Sequence, residues 1–178
     1  MINSLLIRTL SSLSAKDLRT LGDFVACPLF NRRHEVSRLC DHITSGIAKP
    51  DRKAFEAERL HAAAFPGAAF DNLALRHTMS YLLDAVRRYL AWSEWQTDAA
   101  GQQRYLVRAL RNRGLDHLFE KEWHRASEKA EENPVRDARF HFQRYQLQQE
   151  KLEHTARRER SADERGYEKF ASHVFLPW

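Results

Sequence analysis

The first group of residues whose spacing could support chemistry is a possible set of metal ligands. His117, Glu120 and His124 recur at i, i+3 and i+7, so they share one face of a predicted helix. Imidazole and carboxylate groups are ligands that divalent metals accept. Because Phe119 and Trp123 form the apolar face on the opposite side, we expect the three polar side chains to face water. We therefore predict no metal site.

A second group consists of arginines. Arg104, Arg108 and Arg111 form a stripe along another predicted helix, and a guanidinium offers a planar fork of donors that suits phosphate. Tyr105 and Leu106 belong to the apolar side opposite them, so the simpler interpretation of the stripe is a solvated outer face. Contact with a polyanion through these three arginines remains the alternative.

The chain contains none of the common patterns of catalysis or cofactor binding. It has no glycine-rich phosphate loop, no Gly-x-Ser-x-Gly turn and no Cys/His pattern of a nucleophile with its base. Cys27 and Cys40 are thirteen residues apart, which matches no zinc or redox spacing. We therefore predict no catalytic residue, no cofactor, no identifiable small-molecule ligand and no enzymatic activity.

Helical periodicity covers nearly the whole chain and predicts an all-α fold of about seven helices. Short connections favour antiparallel hairpins, arranged as a bundle or a short solenoid-like array. The first helix covers residues 1–27, with a new capped turn at Ser14, and ends at Pro28. The others are predicted at 32–45, 51–64, 71–96, 101–113, 115–131 and 133–160. We predict a single domain over residues 1–165 and an aromatic tail over 166–178.

The predicted helix 133–160 has two apolar faces. A stripe with steps of four and three contains Ala138, Phe142, Tyr145, Gln149, Leu152 and Ala156. Phe140, Leu147 and His154 lie on roughly the opposite side. One apolar stripe is enough to attach a helix to a core. We therefore predict that the second face, which we call the ridge, is an interface for the chain's tail, a second copy or another protein. The candidate interface residues are Phe140, Leu147 and Trp178, and the tail is slightly favoured as the cover.

Composition and charge narrow the class of protein. Hydrophobic residues make up 43% of the 178 residues, which is typical of a folded chain rather than a disordered one. No apolar run has the length of a membrane span, so we predict no membrane partner and a cytoplasmic location. The net charge of +5 is spread among interleaved acids, which argues only weakly for nucleic acid.

Three segments together resemble an uncharacterised bacterial all-helical family. They are Phe-Val-Ala-Cys-Pro-Leu-Phe-Asn-Arg at 24–32, the elements Phe-Pro-Gly and Leu-Arg-His-Thr-Met-Ser-Tyr-Leu-Leu within 65–83, and Leu-Arg-Asn-Arg-Gly-Leu at 110–115 with Asn-Pro and Phe-Gln-Arg-Tyr within 133–145. Cys27 stands where that family usually has Ser. The resemblance implies helical hairpins somewhat like tetratricopeptide arrays and implies no activity. It also implies that this chain corresponds to an N-terminal portion, with further helices normally following.

The sequence therefore leads to two functional hypotheses from different classes. The first is a helical protein-interaction or scaffold module without chemistry, whose partner is itself or another protein. The second is a nucleic-acid-associated protein that uses arginine-rich helix faces. The double-faced helix and the evenly mixed charge favour the first.

Overall fold

The computed structural model describes residues 4–49, 52–132 and 134–174, and the side chains in these ranges except those of Arg52 and residues 161–174. The described part is all-α, as the sequence predicts, and contains no strand. Its helices are α1 (Leu5–Ser11), α2 (Ala15–Ala26), α3 (His34–Ala48), α4 (Ala57–Ala64), α5 (Asn72–Thr97), α6 (Ala99–Asn112), α7 (Asp116–Glu131) and α8 (Ala138–Val174), with a 3₁₀ turn at Arg52–Phe55.

Local side-chain caps determine where several helices begin. Ser14 and Asp17 form a capping box, which divides the first predicted helix into α1 and α2. Asp71 accepts hydrogen bonds from the backbone N–H groups of Leu73 and Ala74 at 2.8 and 3.1 Å, and it caps α5 as predicted. These hydrogen bonds lower the pKa of the Asp71 carboxyl below its usual value.

Both predicted ends of the last helix are wrong. Residues 134–137 are not helical, and α8 begins at Ala138, where Asp137 accepts a hydrogen bond from the Phe140 N–H at 2.8 Å. The predicted cap, Asn133, lies outside the described residues. At the other end the helix continues to Val174, because residues 161–174 include the helix formers Ala162, Glu164, Arg165, Glu168 and Ala171 and no proline. Residues 166–174 are therefore part of α8 and do not form a tail folded back on it.

The chain divides into two compact units, Met1–Glu94 and Trp95–Trp178, where the sequence predicted a single domain over residues 1–165. The first unit encloses one apolar core, to which α1–α5 contribute. Among its fully buried side chains are Leu10, Leu21, Leu39, Ile43, Leu60, Leu75, Leu82 and Val86. Arg38 of α3 donates two hydrogen bonds, at 2.9 and 2.7 Å, to the carbonyl oxygen of Ala64 at the end of α4.

The second unit consists mainly of α6, α7 and α8, each of which contacts the other two. Its apolar cluster is small and contains Val107, Leu110 and Phe119, with Trp123 packed against it. Gly114, in the turn between α6 and α7, has a φ of +66°, a conformation that favours glycine. Within the described ranges, no helix combines the length and apolar character needed to cross a bilayer.

Candidate functional site

The buried face of α8 carries both apolar and charged side chains. Phe140, Leu147, Glu150 and His154 recur along this face, and each is more than nine-tenths buried. A buried carboxylate is costly unless it is paired and hydrogen-bonded. The second unit must therefore supply partners for Glu150, and these partners explain how α8 is oriented.

Two arginines of α6 pair with Glu150. Arg108 Nε lies 2.6 Å from Glu150 Oε1, and Arg111 Nε lies 3.0 Å from Oε2, so each carboxylate oxygen accepts a charge-assisted hydrogen bond. Arg111 also reaches Glu153, with Nη2 2.7 Å from Oε2. The proximity of Glu150 raises the pKa of the Arg108 guanidinium, chiefly through the hydrogen bond. This ion-pair network fixes α6 against α8.

The imidazole of His154 lies one turn further along the same face and contacts α7. His154 Nε2 donates to Asp116 Oδ1 at 3.0 Å, and Nδ1 lies 3.5 Å from Glu120 Oε1. The ring stacks on Phe119 with 3.9 Å between centroids and 14° between planes. His154 is thus held by one aromatic face and by carboxylates at its edge, and this arrangement gives it a structural role.

A third set of contacts also joins α7 to α8. The Lys151 ammonium donates to Glu120 Oε2, and this hydrogen bond is the largest cause of the lowered pKa of the Glu120 carboxyl. Trp123 donates its indole N–H to the carbonyl oxygen of Leu147 at 2.9 Å. Arg157 donates to the carbonyl oxygen of Arg111, so α6, α7 and α8 are all joined through polar contacts.

The outward face of α8 is the apolar stripe that the sequence assigned to the core. Phe142, Tyr145 and Leu152 are 60%, 63% and 71% exposed. The two faces predicted for this helix exist, but their assignment is wrong, because Phe140 and Leu147 are buried within the chain's own second unit. Phe140 and Leu147 are therefore not available as the predicted interface, and Trp178 lies outside the described residues. We call Ala138, Phe142, Tyr145, Gln149, Leu152 and Ala156 the outer stripe.

The arginine stripe of α6 is also oriented differently from the prediction. Arg108 and Arg111 point toward α8 and bind Glu150, although 42% of the Arg108 side chain stays exposed. Arg104 lies over the Tyr105 ring, 4.6 Å from its centroid. Tyr105 and Leu106, predicted to be buried, are exposed. The predicted orientations of α6 and α8 are wrong for the same reason. Ion pairs occupy the contact between these helices, where the periodicity predicts apolar packing.

The possible metal ligands on α7 are not brought together. His117 and His124 are exposed, while Glu120 is turned toward Lys151 and His154. In the described part of the chain, no three His, Cys, Asp or Glu side chains are arranged to hold a metal ion. Asp116 and Glu120 instead both contact the imidazole of His154, through its Nε2 and Nδ1 atoms.

A cavity of about 440 Å³ lies among the start of α6, the end of α7 and the start of α8. Its volume falls in the range of small-ligand sites. Two of its polar lining residues are engaged by the chain, because Asp98 accepts from the Gly101 N–H at 3.0 Å and Gln103 donates to Glu122 at 3.0 Å. Phe142 of the outer stripe forms part of the rim, so the cavity adjoins the exposed apolar surface.

Sequence reasoning missed the roles of Glu150 and His154, although a signal was present. Both fall on the same side of the helix as Phe140 and Leu147, so one face contained two apolar residues and two that need partners. A pair of arginines three residues apart on another helix offers such a partner for a carboxylate.

Comparison with known proteins adds no relative, because no protein family, curated protein or solved structure matches this chain.

Proposed function

We propose that the protein is a non-enzymatic helical protein-interaction or scaffold module, and that its contact surface is the outer stripe of α8. One observation carries this proposal. Phe142, Tyr145 and Leu152 are all more than half exposed on one face of a helix whose opposite face is buried. Three large apolar side chains in one exposed row are typical of a binding surface, whereas single exposed ones are ordinary.

The spacing of the outer stripe suits a protein partner. Phe142, Tyr145, Gln149 and Leu152 lie at i, i+3, i+7 and i+10, the positions by which one helix contacts a groove or a second helix. Aromatic side chains are enriched where binding energy concentrates, because they bury a large area with few rotatable bonds. The face is also presented rigidly, since the ion pairs of Glu150 hold the back of the same helix.

The chemistry inside the second unit supports a non-enzymatic role. Glu150 is occupied by two arginines, and His154 is occupied by Asp116 and the Phe119 ring. A catalytic acid or base must reach a substrate, whereas Glu150 and His154 are buried and each is bonded to other side chains of the same unit. The nucleic-acid alternative has less support, because two of its three arginines neutralise a carboxylate of the same chain.

The test adds charge to the outer stripe. The double variant Tyr145→Glu/Leu152→Glu should keep its helix content and melting temperature, because exposed substitutions change stability by only about 0.5 kcal/mol each. It should lose the proteins that the wild-type chain captures, itself included, when both are compared by quantitative mass spectrometry of affinity captures from the source cells. The proposal is overturned if both chains capture the same set.

The matched control is Leu29→Glu/Leu118→Glu. It adds the same two charges at exposed apolar positions outside α8. We expect it to retain the wild-type partners. Equal losses in both double variants would indicate a general effect of charge and would contradict a role for the outer stripe.

A further inference from the structure

We propose that the outer stripe binds a second copy of this chain, with the two α8 helices paired antiparallel. This inference rests on the proposed function, because it names the occupant of the same surface. The observation behind it is the order of the six residues in the outer stripe. When one copy is reversed, each of these residues lies opposite a compatible residue of the other copy.

The steps within the stripe have the period of a helix pair. From Ala138 to Ala156 the spacings are four, three, four, three and four, the alternation of a seven-residue repeat. This is the repeat that keeps one seam of a helix facing a partner helix. At about 1.5 Å per residue the seam is roughly 27 Å long. A globular partner would require no such regularity.

Reversing one copy places each residue opposite a suitable mate. A seven-residue repeat has two apolar positions, and in an antiparallel helix pair each of them faces the other kind on the second helix. A two-fold axis level with position 147 gives this arrangement to all six residues of the outer stripe. The axis places Phe142 opposite Leu152 and Tyr145 opposite Gln149, and both layers occur twice. Ala138 faces Ala156 at each end of the seam.

The chemistry of each layer is also compatible. Phe142 and Leu152 form an apolar layer, and the Tyr145 hydroxyl can hydrogen-bond the Gln149 amide. The alanine layers are small and let the helices approach at both ends. A parallel pair would instead place Gln149 against Gln149 between layers of larger apolar side chains, where polar groups are costly unless they find each other.

Charges beside the seam favour the same arrangement. The flanking positions place Arg139 of one copy opposite Glu153 of the second copy, twice by symmetry. Within one chain Arg139 Nη2 lies 3.8 Å from Asp98 Oδ1, and Glu153 pairs with Arg111, so the contact between copies would extend these ion pairs. The other flanks pair His141 with Thr155, Gln146 with itself and Gln148 with itself, so no like charges oppose each other. Charge complementarity of this kind selects the orientation of helix pairs.

The first part of the test measures association. Sedimentation velocity over a hundredfold range of protein concentration should show a reversible monomer–dimer equilibrium. Tyr145→Glu should weaken the dimer roughly tenfold or more, because it places a carboxylate in the seam near the axis. The Leu118→Glu control, exposed on α7, should leave the equilibrium unchanged.

The second part measures orientation by disulfide formation in a Cys27→Ser background. Cys40 stays unreactive, because burial raises the pKa of its thiol to about 12. Phe142→Cys chains mixed with Leu152→Cys chains should form a cross-linked dimer under mild oxidation, whereas each alone should not. In an antiparallel pair, position 142 of one copy lies about 15 Å along the axis from position 142 of the other.

Each outcome separates this inference from the proposed function. A chain that stays monomeric overturns the second copy as occupant, while loss of other partners in Tyr145→Glu/Leu152→Glu would still support a protein-interaction module. Cross-linking of each single-cysteine chain with itself overturns the antiparallel arrangement. Unchanged association and unchanged captures in the charged variants would overturn both.

Discussion

The two units differ in the polar side chains that they bury, which are His61 and Thr78 in the first unit and Glu150 and His154 in the second. In the first unit, Leu21, Leu39, Leu75 and Leu82 are among many apolar residues excluded from water. In the second unit the apolar cluster has three fully or nearly buried members, and Glu150 and His154 are buried beside it. Apolar packing is non-directional, whereas an ion pair holds only in one geometry. The difference shows how directional ion pairs can determine which of two apolar faces of a helix is buried.

The largest expected effect comes from leaving the buried carboxylate of the second unit without partners. Arg108→Ala/Arg111→Ala should destabilise the second unit by about 3–5 kcal/mol, because Glu150 stays buried and loses both hydrogen bonds. Native-state hydrogen exchange of amides in α6–α8 measures this loss, and amides of α2–α4 should keep their protection.

Two further variants test whether this loss of stability comes from the unpaired carboxylate of Glu150. Adding Glu150→Met to the double variant should restore much of the lost stability, because an apolar side chain of similar size needs no partner. Arg104→Ala, on the same helix but stacked on Tyr105, should cost below about 1 kcal/mol. A double variant as stable as the wild type would show that the ion pairs do not hold α8.

A smaller effect is expected for a single truncation in the first unit. Leu82→Ala removes a fully buried side chain and should lower the free energy of unfolding of that unit by about 3 kcal/mol. Leu73→Ala, an exposed position of the same helix, is the control and should change it by less than about 0.5 kcal/mol. Hydrogen exchange should assign the loss to amides within residues 4–94. A loss confined to α6–α8 would contradict the division into two units.

The smallest effect concerns pH. The pKa of Glu120 is lower in the folded chain than the usual value of 4.5 for a glutamate, so its pairing with Lys151 stabilises the second unit above that pH. This stability is lost as the pH falls from about 4.5 through the folded pKa. It should amount to less than about 1 kcal/mol, since both side chains are about one third exposed.

Lys151→Met removes the main cause of that lowered pKa. Acid unfolding of α6–α8, followed by circular dichroism and hydrogen exchange, should then show a weaker pH dependence between pH 5 and 3 than in the wild type. An identical dependence in both chains would mean that the Glu120–Lys151 pair contributes nothing.

The positions of the helices were largely predictable from the sequence because their signals are local. Ser14 and Asp71 cap the helices that follow them, and Gly114 ends α6 within one turn of the predicted residue. The predicted C-terminal end of α8 is wrong because the aromatic residues of 166–178 suggest a cover for Phe140 and Leu147. The composition of residues 161–174 instead favours a continued helix.

The orientation of α8 could not be read from periodicity alone. The outer stripe contains more apolar residues than the ridge of Phe140 and Leu147, so a rule that counts apolar side chains selects the wrong face. The partners that reverse this choice, Arg108 and Arg111, lie 42 and 39 positions from Glu150. Pairing between residues so far apart in sequence does not show in the periodicity of α8. It nevertheless determines which face of this helix stays exposed.

The contact between Arg157 and the carbonyl oxygen of Arg111 has a practical consequence for protein engineering. Short surface turns are the usual places to insert a tag or to move the chain ends. The turn at Gly114 is different, because its neighbour Arg111 is held by α8 and a Cβ at position 114 would approach Arg157 Nη2 to 3.0 Å. An insertion there would separate α6 from α8 as well as from α7. A fluorescent tag is better placed in another connection, such as the turn at Gly67, where an added Cβ would meet no atom within 4 Å.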